Sequence, residues 1–164
     1  VEDLTRTQLR RRVAFLEERN RQLELLVNTD GLTGLLNRRA CDQSLAERPG
    51  AYVIAIDLNG FKAAQDAPDR GHPWGDALLR RFADWLRATT REHDYLAARP
   101  GGDEFVVVAS ADAAGAQAVA ERVQQWEDSG VTASAGVGAS WDAADAALYR
   151  VKAARRSKKE RVAA

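Results

Sequence analysis

Two apolar runs, residues 95–99 and 104–110, stand only four residues apart, joined by Pro100-Gly101-Gly102-Asp103. Parallel neighbours need a crossover of about a dozen residues or more, so these two runs can pair only as an antiparallel hairpin. The Gly-Gly step suits a tight turn because glycine reaches positive φ without a Cβ clash. Residues 52–57, Tyr-Val-Ile-Ala-Ile-Asp, form a short apolar run ending in an acid, which reads as a buried strand, and residues 131–137 read as another. Helices are expected over 32–47, 61–67, 74–89, 113–127 and 141–156; the third puts Leu78, Leu79, Phe82, Trp85 and Leu86 on one face. From residue 52 the order is β-α-α-β-β-α-β-α. A hairpin inside that alternation implies an α+β domain with a mixed, largely antiparallel sheet and its helices on one side. A doubly wound parallel sheet does not fit.

Residues 1–29 are a different kind of sequence from 30–164, and the chain divides there into a leading helix and a globular domain. Residues 4–29 lack glycine and proline. Leu9, Val13, Leu16, Asn20, Leu23 and Val27 alternate at spacings of four and three, a heptad seam with leucine at d and Val13, Asn20 and Val27 at a. An a-position Asn beside d-position leucines favours a parallel two-stranded coil in one register. Arg12 and Arg19 at g would face Glu17 and Glu24 at e of a second copy. Such exposed pairs are worth only about 0.2–1 kcal/mol each and select orientation more than they stabilise. The alternative is a single amphipathic helix folded back on its own domain, since about three heptads make a marginal coil.

Lysine and arginine together number 24, as do aspartate and glutamate, so no global field draws nucleic acid or a membrane. The balance is uneven: residues 150–161 hold seven bases and one acid, leaving 17 bases against 23 acids elsewhere. A lone cysteine, Cys41, excludes an internal disulfide framework and fits a reducing, cytoplasmic setting. No apolar run is long enough to span a bilayer. With no methionine and a start at Val1, the chain reads as a piece of a longer protein.

Asp57 closes the first strand, and Asp103 and Glu104 stand at the hairpin. Carboxylates at strand ends and hairpin tips can converge on a divalent cation, and hard oxygen donors suit Mg²⁺ held jointly by substrate phosphates. Leu58-Asn59-Gly60-Phe61-Lys62 is a turn into a helix whose N–H groups and Lys62 suit phosphate oxygens. Lys152 and Arg156, four apart, form a second cationic pair on one helix face. Singly each has an ordinary structural reading: a turn, a helix cap, a solvated face. His72 and His93 are the only histidines and no zinc site is expected; His72 reads as structural. By itself the basic C-terminal stretch can be read as a solvated helix end or a nucleic-acid patch.

Taken together, these residues resemble the GGDEF domain family of diguanylate cyclases. Arg99-Pro100-Gly101-Gly102-Asp103-Glu104-Phe105 contains the signature itself. Asp30-Gly31-Leu32-Thr33-Gly34-Leu35-Leu36-Asn37-Arg38-Arg39 resembles the family's opening Asp-x-Leu-Thr-x-Leu-x-Asn-Arg. Asp57-Leu58-Asn59-Gly60-Phe61-Lys62 and Gly71-His72-Pro73-Trp74-Gly75-Asp76 are similar to its two central motifs. Ser134-Ala135-Gly136-Val137 and residues 144–152 are similar to its last strand and helix. The resemblance covers about residues 30–161.

That resemblance implies a palm-like fold, related to nucleotide polymerases and adenylyl cyclases, which condenses two GTP into cyclic di-GMP and two pyrophosphates across a homodimer. By similarity, Asp57 and Asp103, helped by the Leu58 carbonyl, would hold two Mg²⁺ or Mn²⁺ per active site. Glu104 would assist the metal site or the deprotonation of the attacking 3′-hydroxyl. Gly101 and Gly102 would let the backbone approach the α-phosphate and ribose. Asn59, Gly60, Phe61 and Lys62, with Lys152 and Arg156, would hold the β- and γ-phosphates. That role for Lys152 and Arg156 implies that the basic C-terminal stretch is a phosphate clamp running into a solvated end. Gln65 and Asp76 would contact guanine, whose N1–H and N2–H suit the Asp76 carboxylate. An upstream sensor domain and a coil that sets whether two half-sites meet are implied as well; no nucleic-acid partner is.

The chain departs from the family pattern in four places. Gln65 stands where the family usually has Asn, and four residues separate Asp66 from Gly71 where two are usual. The segments before Val131 and Ala144 are short. Arg91 and Asp94 have the letters of an inhibitory product site, but six residues separate Asp94 from Gly101 where five are usual; at the usual offset stand Glu92 and Tyr95. A one-residue bulge would restore the spacing. Two other readings remain: a degenerate domain acting as a GTP or cyclic di-GMP receptor or scaffold, and a cyclase with altered base choice.

Overall fold

The computed structural model describes residues 5–90 and 95–163. The first strand, β1 (Tyr52–Asn59), is apolar at four successive positions, Val53 to Ile56, because it is buried on both faces. It lies at the centre of a five-stranded sheet of order β2-β3-β1-β5-β4, formed with β2 (Tyr95–Gly101), β3 (Glu104–Ala109), β4 (Glu127–Asp128) and β5 (Val131–Gly138). Every pairing between these strands is antiparallel.

The sheet carries helices on both sides, which corrects the expectation of one covered face. On one side Ile54, Ile56 and Leu58 of β1 meet Phe105 and Val107 of β3, beneath α4 (His72–Thr89) and α5 (Ala113–Val123). Phe82 of α4 anchors this layer edge-on to Phe105 and Trp126, at ring separations of 4.6 and 4.8 Å. On the other side Val53, Ala55, Val106 and Val108 meet Cys41 of α2 (Arg38–Ala46) and Ala144 of α6 (Trp141–Ala163). Cys41 is fully buried there, and burial pushes its thiol up to about 12. By the period-two alternation of a strand, Asp57 falls on the α2/α6 side.

Two stretches depart from the sequence expectation. Helix α2 begins only at Arg38, not near residue 32. Residues 29–36 form a turn instead: Asp30 N–H donates to Leu35 O, Gly34 N–H donates to Asp30 O, and Gly34 takes a left-handed φ of 67°. Leu35 and Leu36 then enter opposite core layers, as consecutive residues of an extended segment must. Helix α5 ends at Val123, and Glu127–Asp128 becomes the short strand β4. Ser129 (φ 54°) and Gly130 (φ 82°) provide the two left-handed residues of a tight hairpin into β5. Helix α3 (Phe61–Gln65) follows β1 directly.

Helix α1 (Arg6–Asn28) opens with a capping box between Thr5 and Gln8 and has no buried residue. Leu9, Val13, Leu16 and Leu23 remain about half exposed, so the helix is not folded back on its own domain. None of the helices among the described residues is long and apolar enough to cross a membrane.

Candidate active site

The register of β1 against β3 sets Asp57 directly opposite Glu104, with Ser134 of β5 opposite Asp57 on its other edge. Two carboxylates facing each other across a ladder repel, and a nearby cation offsets the repulsion. Here Lys152 Nζ lies 2.8 Å from Asp57 Oδ2. Lys152 reaches it because α6 lies directly on β5. A side chain at Gly136 would run into the backbone of Leu148 and Ala144, and one at Gly138 into that of Ala143 and Ala144. Arg155 fastens the helix further, donating from Nη1 to Ala133 O at 2.7 Å.

Asp57, Leu58, Gly60, Phe61, Lys62, Asp103, Lys152 and Arg156 line one open cleft of about 590 Å³, within the range of nucleotide-sized sites. Acids stand at the β1 end and hairpin, and cations on α3 and α6. Asn59 borders the cleft, but its side chain is committed to the sheet: Nδ2 donates to Thr132 O at 3.1 Å, and Oδ1 accepts from Ser134 Oγ at 3.0 Å. Its Nδ2 protons are spent on Thr132, so a phosphate would meet the Asn59 backbone rather than its side-chain N–H. Arg155 and Thr132 also line the cleft and were not singled out from the sequence. The signal available was that Arg155 lies three residues after Lys152, one helical turn along the same face.

Gln65 and Asp76 lie outside the lining of this cleft, as do Glu104, Gly101 and Gly102; Gln65 ends α3 and Asp76 belongs to α4. The Gln65 amide packs against Gly75, where a Cβ would collide with it, and Asp76 follows Gly75 as the fifth residue of α4. The lengthened segment before Gly71 is held by Arg70, stacked 4.3 Å from the Trp74 ring. His72 is the exposed first residue of α4.

At the hairpin, Gly102 takes a left-handed φ of 57°. Gly101 does not, and a Cβ on it would meet nothing within 4 Å, so neither backbone nor packing requires glycine there. Glycine at that position leaves the backbone open to close approach by a ligand. Arg99 braces the turn, donating from Nη2 to Gly102 O at 2.7 Å and from Nη1 to Asp30 Oδ1 at 3.0 Å. Burial alone would raise the Asp30 carboxyl, but hydrogen bonds from Thr33 and Arg99, with the Arg99 charge, hold it below the ordinary 3.8. The β2 register against β3 slips by one residue between Ala98 and Gly101. Arg91, His93 and Asp94 themselves lie outside the described residues.

Among the described residues no three His, Cys, Asp or Glu side chains gather closely enough to cage a metal unaided. Asp57, Asp103 and Glu104 nonetheless suit Mg²⁺, which is commonly held by one or two carboxylates with the remaining positions taken by water and substrate phosphates.

Residues 27–158 match the family model described as "Diguanylate cyclase, GGDEF domain". The cyclic di-GMP phosphodiesterase PdeR of Escherichia coli is 41% identical over 116 residues, covering 65% of this chain and 17% of PdeR. The diguanylate cyclase DgcS of Shewanella oneidensis is 34% identical over 152 residues, covering 78% of this chain and 50% of DgcS. The crystal structure of the diguanylate cyclase SiaD of Pseudomonas aeruginosa, in complex with its activator SiaC, superposes with a TM-score of 0.65 at 32% identity, covering 90% of this chain and 70% of that one. The chain thus spans half or less of the length of these two curated relatives. With the signature hairpin, the antiparallel sheet and the paired carboxylates in place, the chain belongs to the GGDEF domain family.

Proposed function

We propose that this chain is a diguanylate cyclase module that condenses two GTP into cyclic di-GMP, residues 1–29 pairing two copies and residues 30–164 forming the catalytic domain. The observation that carries this reading is the cleft in which Asp57 and Asp103 face Lys62, Lys152 and Arg156. Lys62, Lys152 and Arg156 bind the β- and γ-phosphates, with the backbone of the Asn59–Gly60–Phe61 turn completing the cradle. Gly101 and Gly102 admit the α-phosphate and ribose. Asp57, Asp103 and Glu104, with the Leu58 carbonyl, would hold two Mg²⁺ or Mn²⁺. Divalent cations, on which diguanylate cyclases of this family generally depend, would neutralise charge developing on the transferred phosphoryl group. Glu104, opposite Asp57, takes up the 3′-hydroxyl proton. Gln65 and Asp76 read the guanine edge from the α3–α4 junction. Lys152 is committed to Asp57 in this structure and turns to phosphate when substrate is bound. Because each domain offers one cleft, the reaction needs two domains facing each other, and the α1 coil supplies the second at high effective concentration. An upstream sensor domain is the natural source of input.

Product analysis by mass spectrometry, with Mg²⁺ and an equimolar GTP/ATP mixture, tests this reading. Cyclic di-GMP that disappears in Asp103→Ala is the expected result. A mixed guanine–adenine dinucleotide would transfer base choice to Gln65 and its lengthened loop. Absence of any product would favour a receptor.

A further inference from the structure

The heptad seam of α1 does not end in open solvent. Asn20, Leu23 and Val27 of the seam, with Glu24 and Asn28 beside them, form one wall of an open groove of about 550 Å³. The other wall is Arg39 and Gln43 of α2. The α1 residues lining the groove lie on the seam and on its e side, so α2 flanks the helix on that side. The g position is also unusual. It carries Arg12 and Arg19 in the first two heptads but Leu26 in the third, and Leu26 is 77% exposed, the most exposed large apolar residue among those described.

In a parallel two-stranded coil, the g flank of each helix faces the e flank of its partner, and a g residue meets the partner's e residue five positions on. Arg12 and Arg19 thereby meet Glu17 and Glu24 of the second copy, and this charge match favours a second copy of this chain as the occupant. The same rule carries Leu26 to position 31, beyond the end of α1 at Asn28. No helical e residue waits there; the groove against α2 does.

We infer that Leu26 of each copy seats in the groove between α1 and α2 of the other, so that the dimer interface continues from the coil onto the globular domain. The inference rests on the parallel coil proposed above. Leu26 buries its side chain against Leu23 and Val27, and the aliphatic stem of Arg39 covers it while the guanidinium stays in water. Contact with α2 fixes the rotational setting of each domain about the coil. Asn37 makes that setting rigid: it caps α2 at Ala40 N and donates through Nδ2 to Val27 O of α1.

Oxidative cross-linking separates this seat from the coil. Leu23→Cys, at d, reports the parallel coil and should link two copies. For the seat, chains carrying only Leu26→Cys are mixed with larger tagged chains carrying only Arg39→Cys or Gln43→Cys, so a heterodisulfide can form only between copies. Cys41 is buried and can remain. Heterodisulfides at one or both positions, with none between Phe15→Cys and Gln43→Cys, are expected. Linkage at Leu23 without linkage from Leu26 would overturn the seat and leave the coil standing. Failure at Leu23 would remove both.

Discussion

Thr33 and Arg99 converge on the Asp30 carboxylate, and Arg99 also holds the Gly102 carbonyl, so one acid ties the exit of α1 to the Gly-Gly turn. The Arg99–Asp30 pair is mostly buried, and hydrogen bonds to a charged group are worth about 1.5–3 kcal/mol each. Asp30→Asn should therefore lower the unfolding free energy by about that amount at neutral pH. The sign with pH comes from the depressed carboxyl: its contribution is present above the unfolded value of 3.8 and is lost as pH falls through the lower folded value. Urea titrations of parent and variant should show a gap that closes below pH 4; a gap independent of pH would count against an ionic role. Gly136 is a second residue on which the site depends. Gly136→Ala forces α6 away from β5, should cost about 1–3 kcal/mol by overpacking, and should depress turnover by drawing Lys152 and Arg156 away from the cleft whose phosphates they are proposed to bind. Thermal melting with a product assay checks both effects; unchanged stability with unchanged turnover would show that α6 adjusts freely.

At the scale of elements, the hairpin was the most legible feature, because four residues between two apolar runs admit only one pairing. The carboxylates stood out as strand-end and hairpin acids, but β1 continues two residues past Asp57, which therefore sits inside the ladder opposite Glu104 rather than closing the strand. The two-sided burial of the sheet was written in the unbroken run Val53 to Ile56, yet the hairpin within the β-α order suggested a single covered face. The turn at residues 29–36 was hidden because Leu32, Leu35 and Leu36 mimic helical spacing; only the Asp30–Thr33 bond and the left-handed Gly34 undo it. Strand β4 was too short to give a pattern, and Asn59 could not be known to face Thr132 until β5 was placed beside β1. Against β3, β2 carries one extra residue between Ala98 and Gly101, and we propose that this slip absorbs the longer offset of Asp94 from the hairpin. Calorimetry should show cyclic di-GMP binding to the parent weakened at least tenfold in Asp94→Ala; equal affinity would exclude a product site there.

For the molecule as a whole, the connection between α1 and the cleft is short and well fastened. Asn37 binds the last turn of α1 and caps α2, Leu36 bridges to Ala98 of β2, and Arg99 reaches from β2 to the Gly-Gly turn. Rotation of α1 therefore turns the globular domain as a body rather than dissipating in a linker. Each residue added to an α-helix rotates the downstream chain by about 100°, so insertions between Leu23 and Val27 should swing the two clefts relative to each other in steps. Two added residues turn them by roughly 200°, whereas four or seven bring them back to within about 40° or 20° of the starting direction. Cyclic di-GMP formation should accordingly be lowest near two inserted residues and recover near four and seven, with circular dichroism confirming that α1 stays helical throughout. A rate that falls steadily with insertion length would point to simple separation of the two domains, and a flat response would mean that the coil holds the copies together without setting how their clefts meet.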